Sequence, residues 1–320
     1  ESKGLPADFV NDLIVASWGD HRVERYRLKR NGASFVAERD VLVQGDATFW
    51  PVGIAVAKDG SLYVTDWGSS SYPLHGEGKV WHLRANVDVS APSTKQDSAA
   101  ERARRLLSSS DQRHSVDDLR RVAESDPSDD VRSVAVRLLA DRRVDVTAFT
   151  RDDSLPVRME AFAGLVTDDA DVLADGLRSK DPFVRNAATH ALIRNRSRLR
   201  TNWFREKLLR QATTSQKEIA RGVALACEIM NSEDVTRLIP SMLESTSDDV
   251  RLIAARWIAD NDMQEHLPAL VKATSAPAES FRVTLALLAA QAHLEETELD
   301  NQLLAQRLND LLASSDQPSI

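Results

Sequence analysis

Ser128-Asp-Asp-Val-Arg-Ser-Val-Ala-Val-Arg-Leu-Leu139 and Ser247-Asp-Asp-Val-Arg-Leu-Ile-Ala-Ala-Arg-Trp-Ile258 are two copies of one pattern. Ser154-Leu-Pro-Val-Arg158 and Asp181-Pro-Phe-Val-Arg185 repeat its opening, and weaker copies sit at Ile219 and at Phe281-Arg282. The anchor positions are 131, 157, 184, 219, 250 and 281, so the spacing runs from 26 to 35 residues. Each opening reads as a helix start. A Ser or Asp side chain can accept from an orphan N–H of the first turn. Pro182 is tolerated just inside a helix because its missing N–H would be unpaired there anyway, and acidic first-turn residues suit the dipole. Apolar or small residues then recur at +3, +4, +7 and +8: Val134, Ala135, Leu138 and Leu139 in one copy, Ile253, Ala254, Trp257 and Ile258 in another. That spacing makes one helical face. Helix pairs repeating at about 30 residues stack into an α–α solenoid.

Outward from the anchors, shorter helices are predicted at Thr201–Gln211 and Glu233–Leu243, and a capping helix at Thr297–Ala313. The solenoid is of HEAT type and is expected over residues 98–313, with a frayed tail at 314–320. Upstream, residues 88–97 are polar and without period, the mark of a linker. Residues 1–87 have a different rhythm. Strands are predicted at Leu13–Trp18, Arg22–Leu28, Phe35–Val43, Ile54–Ala57, Ser61–Trp67 and Gly78–Leu83. In Arg22–Leu28 the alternation puts Val23, Arg25 and Arg27 on one side, as in an antiparallel strand with one wet face. Asn31-Gly32 and Asp59-Gly60 are hairpin signals of type I′. Six strands amount to one to two blades of a β-propeller, which needs several more blades to close. On the strands alone, residues 1–87 are either a partial β-propeller (its last one to two blades) or a small sheet packed on the second domain, ahead of a HEAT-type α–α solenoid.

A formal charge of -8 argues against nucleic acid as a partner, since phosphate binding needs a basic face. No apolar run reaches 18 residues, so no membrane-spanning segment is expected. The single cysteine, Cys227, excludes an internal disulfide and a haem-attachment pair. It falls at +8 from Ile219, a core position, and reads as a structural thiol. His190 falls at +6, with no second His at ligand spacing, so no metal site is expected. The anchor arginines 132, 158, 185, 251 and 282 are expected to pair with acidic residues of neighbouring repeats. The chain opens on Glu-Ser-Lys-Gly and reads as a piece of a longer polypeptide.

Leu5 to Gly19 (LPADFVNDLIVASWG), the run RVERYRL and Trp50 to Gly68 (WPVGIAVAKDGSLYVTDWG) resemble the last blades of the glucose/sorbosone dehydrogenase-type propeller. The order DWG, HGEGKVWHL and then helical repeats is similar to the planctomycete-type membrane-bound dehydrogenases. The resemblance implies a quinone-linked (PQQ-type) sugar or alcohol dehydrogenase-like parent with PQQ and Ca²⁺ as cofactors. It also implies a bacterial envelope location, periplasmic or secreted, and a cytochrome c domain further on in many relatives. The catalytic base of that family lies in earlier blades, so no catalytic residue is assigned and this stretch alone is expected to be inactive. His21, Asp66, His75 and Glu77 are the candidate cofactor-binding residues; the competing reading makes them hydrogen-bonded turn residues. Two other functions stand beside the enzyme. One is a non-catalytic HEAT-repeat and propeller interaction protein that holds a protein partner on the solenoid surface. The other, suggested only by the short repeat, is a bilin-lyase-like role.

Overall fold

The computed structural model describes residues 4–9, 11–57, 59–85, 98–108, 114–198, 214–276 and 280–315. The chain divides into two compact units, Glu1–Arg102 and Ala103–Ile320. The first holds two three-stranded antiparallel sheets. One is β1 (Leu13–Ser17), β2 (Arg22–Asn31) and β3 (Ser34–Gln44); the other is β4 (Pro51–Val56), β5 (Leu62–Asp66) and β6 (Lys79–Leu83). All six predicted strands are present. The division is three and three, not the one and a half four-stranded blades that the strand count suggests. The chain changes sheet at Gly45–Trp50, where a Cβ on Gly45 would strike the Phe49 side chain. Phe49 then joins Val23 and Val64 in a core shared by Ile14, Leu42, Val43, Ile54 and Leu83 of both sheets.

Three local expectations are corrected. The β2–β3 hairpin turns at Gly32–Ala33, because Asn31 pairs with Ser34. Only Gly32 takes a positive φ, of 62°, so the turn is not type I′, which needs two. The Asp59-Gly60 turn likewise has one left-handed residue, Gly60 at φ 82°. Asp59 instead accepts from Ser61 N and Oγ at 2.9 and 2.6 Å. Third, β2 does not have a simple wet face. A register shift at Val23/Glu24 brings Val23, Glu24 and Arg25 in succession to 0%, 2% and 6% exposure. Burial is possible because Arg25 is paired: Nε donates to Asp12 at 2.5 Å, Nη1 to Asp8 at 3.0 Å, and the guanidinium lies 3.8 Å from the Phe9 ring centroid.

The second unit is a run of helices. The anchor helices are α3 (Asp129–Asp141), α4 (Leu155–Gly164), α6 (Pro182–Arg194), α7 (Thr214–Met230), α10 (Asp248–Asp260) and α12 (Phe281–Leu294). α1 (Ala99–Ser108) begins within the first unit's residues, and between and around the anchor helices lie α2 (Val116–Ser125), α5 (Ala170–Leu177), α8 (Glu233–Thr236), α9 (Ile239–Leu243), α11 (Leu267–Ser275) and α13 (Asn301–Ser315). Val131, Val157, Val184, Ile219 and Val250 are all buried, as expected. The last anchor moves. Phe281 is 42% exposed and Val283 2%. Val283 stands three residues after Ser280, the offset Val131 keeps from Ser128, so the repeat frame is set by the helix start. The predicted helix Glu233–Leu243 is broken into α8 and α9, because Pro240 supplies no N–H to continue it. Capping helix α13 starts at Asn301 and not at Thr297. Thr201–Gln211 and the linker 88–97 lie outside the described residues.

The helix starts also differ in mechanism. Asp181 caps as expected, accepting from Phe183 N and Val184 N at 2.9 and 3.0 Å. Ser128, Ser154, Ser247 and Ser280 make no side-chain cap bond. At four of the starts the residue two before the cap accepts from the cap residue's own N–H. Asp126 and Asp152 each accept from the cap residue's own N–H, at 2.9 and 2.8 Å. Ser179 and Ser245 accept in the same way through Oγ.

Candidate functional site

The four sequence candidates lie in the first unit, His21 and Asp66 at strand ends and His75 and Glu77 in the loop between β5 and β6. Asp66 closes β5 and is 3% exposed. One carboxylate oxygen accepts from Trp50 N at 2.7 Å and Gly68 N at 2.9 Å; the other accepts from the Trp81 indole at 2.8 Å. His21 sits at φ 56°, donates from Nδ1 to the Phe49 carbonyl at 2.8 Å, and meets Trp50 edge to face at 4.2 Å. His75 Nδ1 accepts from Glu77 N at 3.0 Å, and its ring stands on Trp67 at 5.1 Å. Glu77 is exposed, and its carbonyl is 2.7 Å from where a Cβ on Gly68 would lie, at a residue with φ 80°. That close approach accounts for the glycine of the Asp-Trp-Gly motif.

Trp50 therefore touches both His21 and Asp66, and the Trp67–Gly78 loop brings His75 and Glu77 together. His21 and Asp66 are committed to loop and sheet closure, whereas His75 Nε2 is buried with no hydrogen-bond partner among the described residues. Asp66 already accepts on both oxygens, and no group of three His, Cys, Asp or Glu side chains among the described residues could hold a metal ion. Neighbouring carboxylates do the same kind of work. Asp46 and Asp59 are held below the ordinary carboxylate range by hydrogen bonds from Thr48 and Ser61.

A cleft of about 440 Å³ lies between the end of β3 and β6 and went unread in the sequence. Val43, Phe49, Trp81 and Leu83 give it an apolar wall, with Lys79 and Asp46 at its rim. The one signal available was a tryptophan on an edge strand, which periodicity alone reads as ordinary alternation.

In the solenoid, Cys227 is fully buried, and burial pushes its thiol up to about 12. His190 is exposed. The anchor arginines do not form a uniform ladder. Arg132 donates to Asp152 of the next repeat at 3.2 Å and to its own Asp126 carbonyl at 3.2 Å. Arg185 closes on the Ser179 and Lys180 carbonyls, and Arg251 pairs with Asp248 of its own helix at 2.9 Å. The inter-repeat ties fall mostly on other residues. Arg137 Nε donates to Glu160 at 3.1 Å, Arg256 to Glu228 at 2.6 Å and Lys272 to Glu244 at 2.6 Å, across 23, 28 and 28 residues. Asn195 Nδ2 donates to Leu165 O at 3.0 Å, and Asn231 joins Trp257 Nε1 to Asn261.

No protein-family model matches the chain, and no curated protein matches it. Among solved structures, the complex of CpcE and CpcF of phycocyanin lyase from Nostoc sp. PCC7120 is similar, with 16% identity and a TM-score of 0.28. That alignment covers 72% of this chain and 99% of the other. YibA of E. coli is similar at 14% identity and a TM-score of 0.25, over 69% of this chain and 99% of its own. The helical repeat is established by this chain's own helices and packing.

Proposed function

We propose that the chain is a non-catalytic scaffold whose helical repeats hold a protein partner. The observation that carries this reading is the series of ties one repeat apart, Arg137–Glu160, Arg256–Glu228 and Lys272–Glu244. They join helices one repeat apart, and a helical array folded before it binds presents an extended surface that loses little ordering entropy on binding. The test is affinity purification of the whole chain with cross-linking. Reproducible cross-links from one partner to residues within Ala103–Ile320 are expected. Oxidation of a sugar or alcohol by the chain with added PQQ, Ca²⁺ and an electron-accepting dye would overturn the reading.

The dehydrogenase-like reading rests on the resemblance of Leu5–Leu83 to propeller blades, and so do the envelope location and the propeller itself. PQQ and Ca²⁺ belong, on that reading, to parts of a parent protein beyond the four residues described above.

A further inference from the structure

We infer that residues 4–12 are a strap that opens and closes over the first unit as a separate piece, locked by the buried Arg25 guanidinium, and that the place it fills accepts an acid–aromatic–x–x–acid segment. Both sheets are built without it. Its 3₁₀ turn, Ala7–Phe9, belongs to neither sheet, and the core on Val23, Phe49 and Val64 draws no described residue from 4–12. The strap's own bonds, Phe9 N to Pro6 O at 3.0 Å and Asp12 N to Phe9 O at 3.2 Å, close a local turn. One end is fixed just past β6, where Ala85 N donates to Gly4 O at 3.1 Å and a Cβ on Gly4 would strike Ser61 N. At the other end Asp8, Phe9 and Asp12 enclose Arg25 of β2.

The clasp has the chemistry of a lock. The Arg25 side chain is 7% exposed and that of Asp12 9%, while Asp8 lies at the rim at 68%. A buried ion pair adds little net stability over apolar side chains of the same volume, yet loss of one partner leaves the other charge buried and uncompensated. The pair therefore discriminates between segments more than it stabilises the sheets. A planar guanidinium presents its N–H fork to carboxylates and its face to an aromatic ring. Arg25 uses both, with Nε on Asp12, Nη1 on Asp8, Nη2 on the Asp8 carbonyl and the Phe9 ring against its face. The structure thus shows the occupant itself, Asp8-Phe-Val-Asn-Asp12. Asn11 takes φ 71°, a left-handed conformation that Asn tolerates, between the two carboxylates of the clasp. A segment held by side chains, outside core and ladders, is of the kind that opens locally below global unfolding. This inference does not depend on the scaffold reading.

Hydrogen exchange of the whole chain, wild type against Asp12→Asn, tests it. Exchange over residues 8–12 and at Ala85 is expected to quicken by about tenfold, from loss of a hydrogen bond between charged groups, with β2 and β5 unchanged. A synthetic peptide of residues 4–12, added in excess to Asp12→Asn, should restore slow exchange at Ala85. The same residues in scrambled order should not, and Arg25→Met added to the variant should abolish the rescue. Asp8→Asn, at the exposed carboxylate, repeats the series with a milder change. Unchanged exchange at Ala85 in both variants overturns the inference. So does acceleration spread equally over β2 and β5 in both, because residues 4–12 would then be an integral part of the fold. Failure of the peptide to restore protection, or equal rescue by the scrambled peptide, overturns it as well.

Discussion

Asp66 shows how a functional-looking residue becomes a structural one. Three donors converge on a carboxylate that is almost wholly buried. Truncation leaves those donors unsatisfied, so Asp66→Ala is expected to cost about 3 kcal/mol, read as a lower urea midpoint by tryptophan fluorescence. Calcium should not shift that midpoint in the wild type. Cys227 gives the second residue-scale prediction. Burial raises its thiol to about 12 from an ordinary 9.0. Iodoacetamide should leave it unmodified in the folded chain at pH 8 and label it in denaturant. The unfolded chain loses this proton first, so the contribution to stability is complete below pH 9 and is lost as pH rises through 12. Neither role is visible in residue type. A carboxylate at a strand end and a lone cysteine each suit catalysis or a core until burial is known.

At the scale of the element, helix and strand starts are held by short polar side chains. α2 begins with a reciprocal capping box, in which Ser115 Oγ accepts from Asp118 N at 3.1 Å and Asp118 accepts from Ser115 N at 3.3 Å. Ser115→Ala should cost about 1 kcal/mol, measured by thermal melting of the helical signal. The Ser115 bonds hold the Asp118 carboxylate below its ordinary 3.8, and Thr147 does the same for Asp145. A depressed pKa stabilises the fold above pH 3.8, and that contribution is lost as pH falls through the folded value. Helix contacts set a different limit. A Cβ on Gly164 would strike the Ala140 side chain, and one on Gly176 would lie 2.6 Å from Ala188 Cβ. Gly164→Ala should therefore destabilise by about 1–3 kcal/mol through overpacking, against the usual gain from replacing a helical glycine. Calorimetry of the variant decides between these signs.

Across the whole molecule, stability is a sum over neighbouring repeats. Leu192 is fully buried in α6, and Leu192→Ala should cost about 2–5 kcal/mol. Because repeats contact only their neighbours, hydrogen exchange should quicken in α4, α6 and α7 and hardly at all in α12. The sheets of the first unit, built on Val23, Phe49 and Val64, should keep their protection. The sequence by itself determined the two kinds of architecture, because periods of two and of 3.6 with their turn and cap residues are local properties of the chain. It also placed the buried anchors at 131, 157, 184, 219 and 250. Only the tertiary structure decided the split into two three-stranded sheets, the shift of the last anchor to Val283 and the commitment of Asp66 to three donors. The same holds for the clasp of Arg25 on Asp8, Phe9 and Asp12 and for the cleft at β6. Each of these depends on which groups meet across large separations in the chain, and no local pattern carries that information.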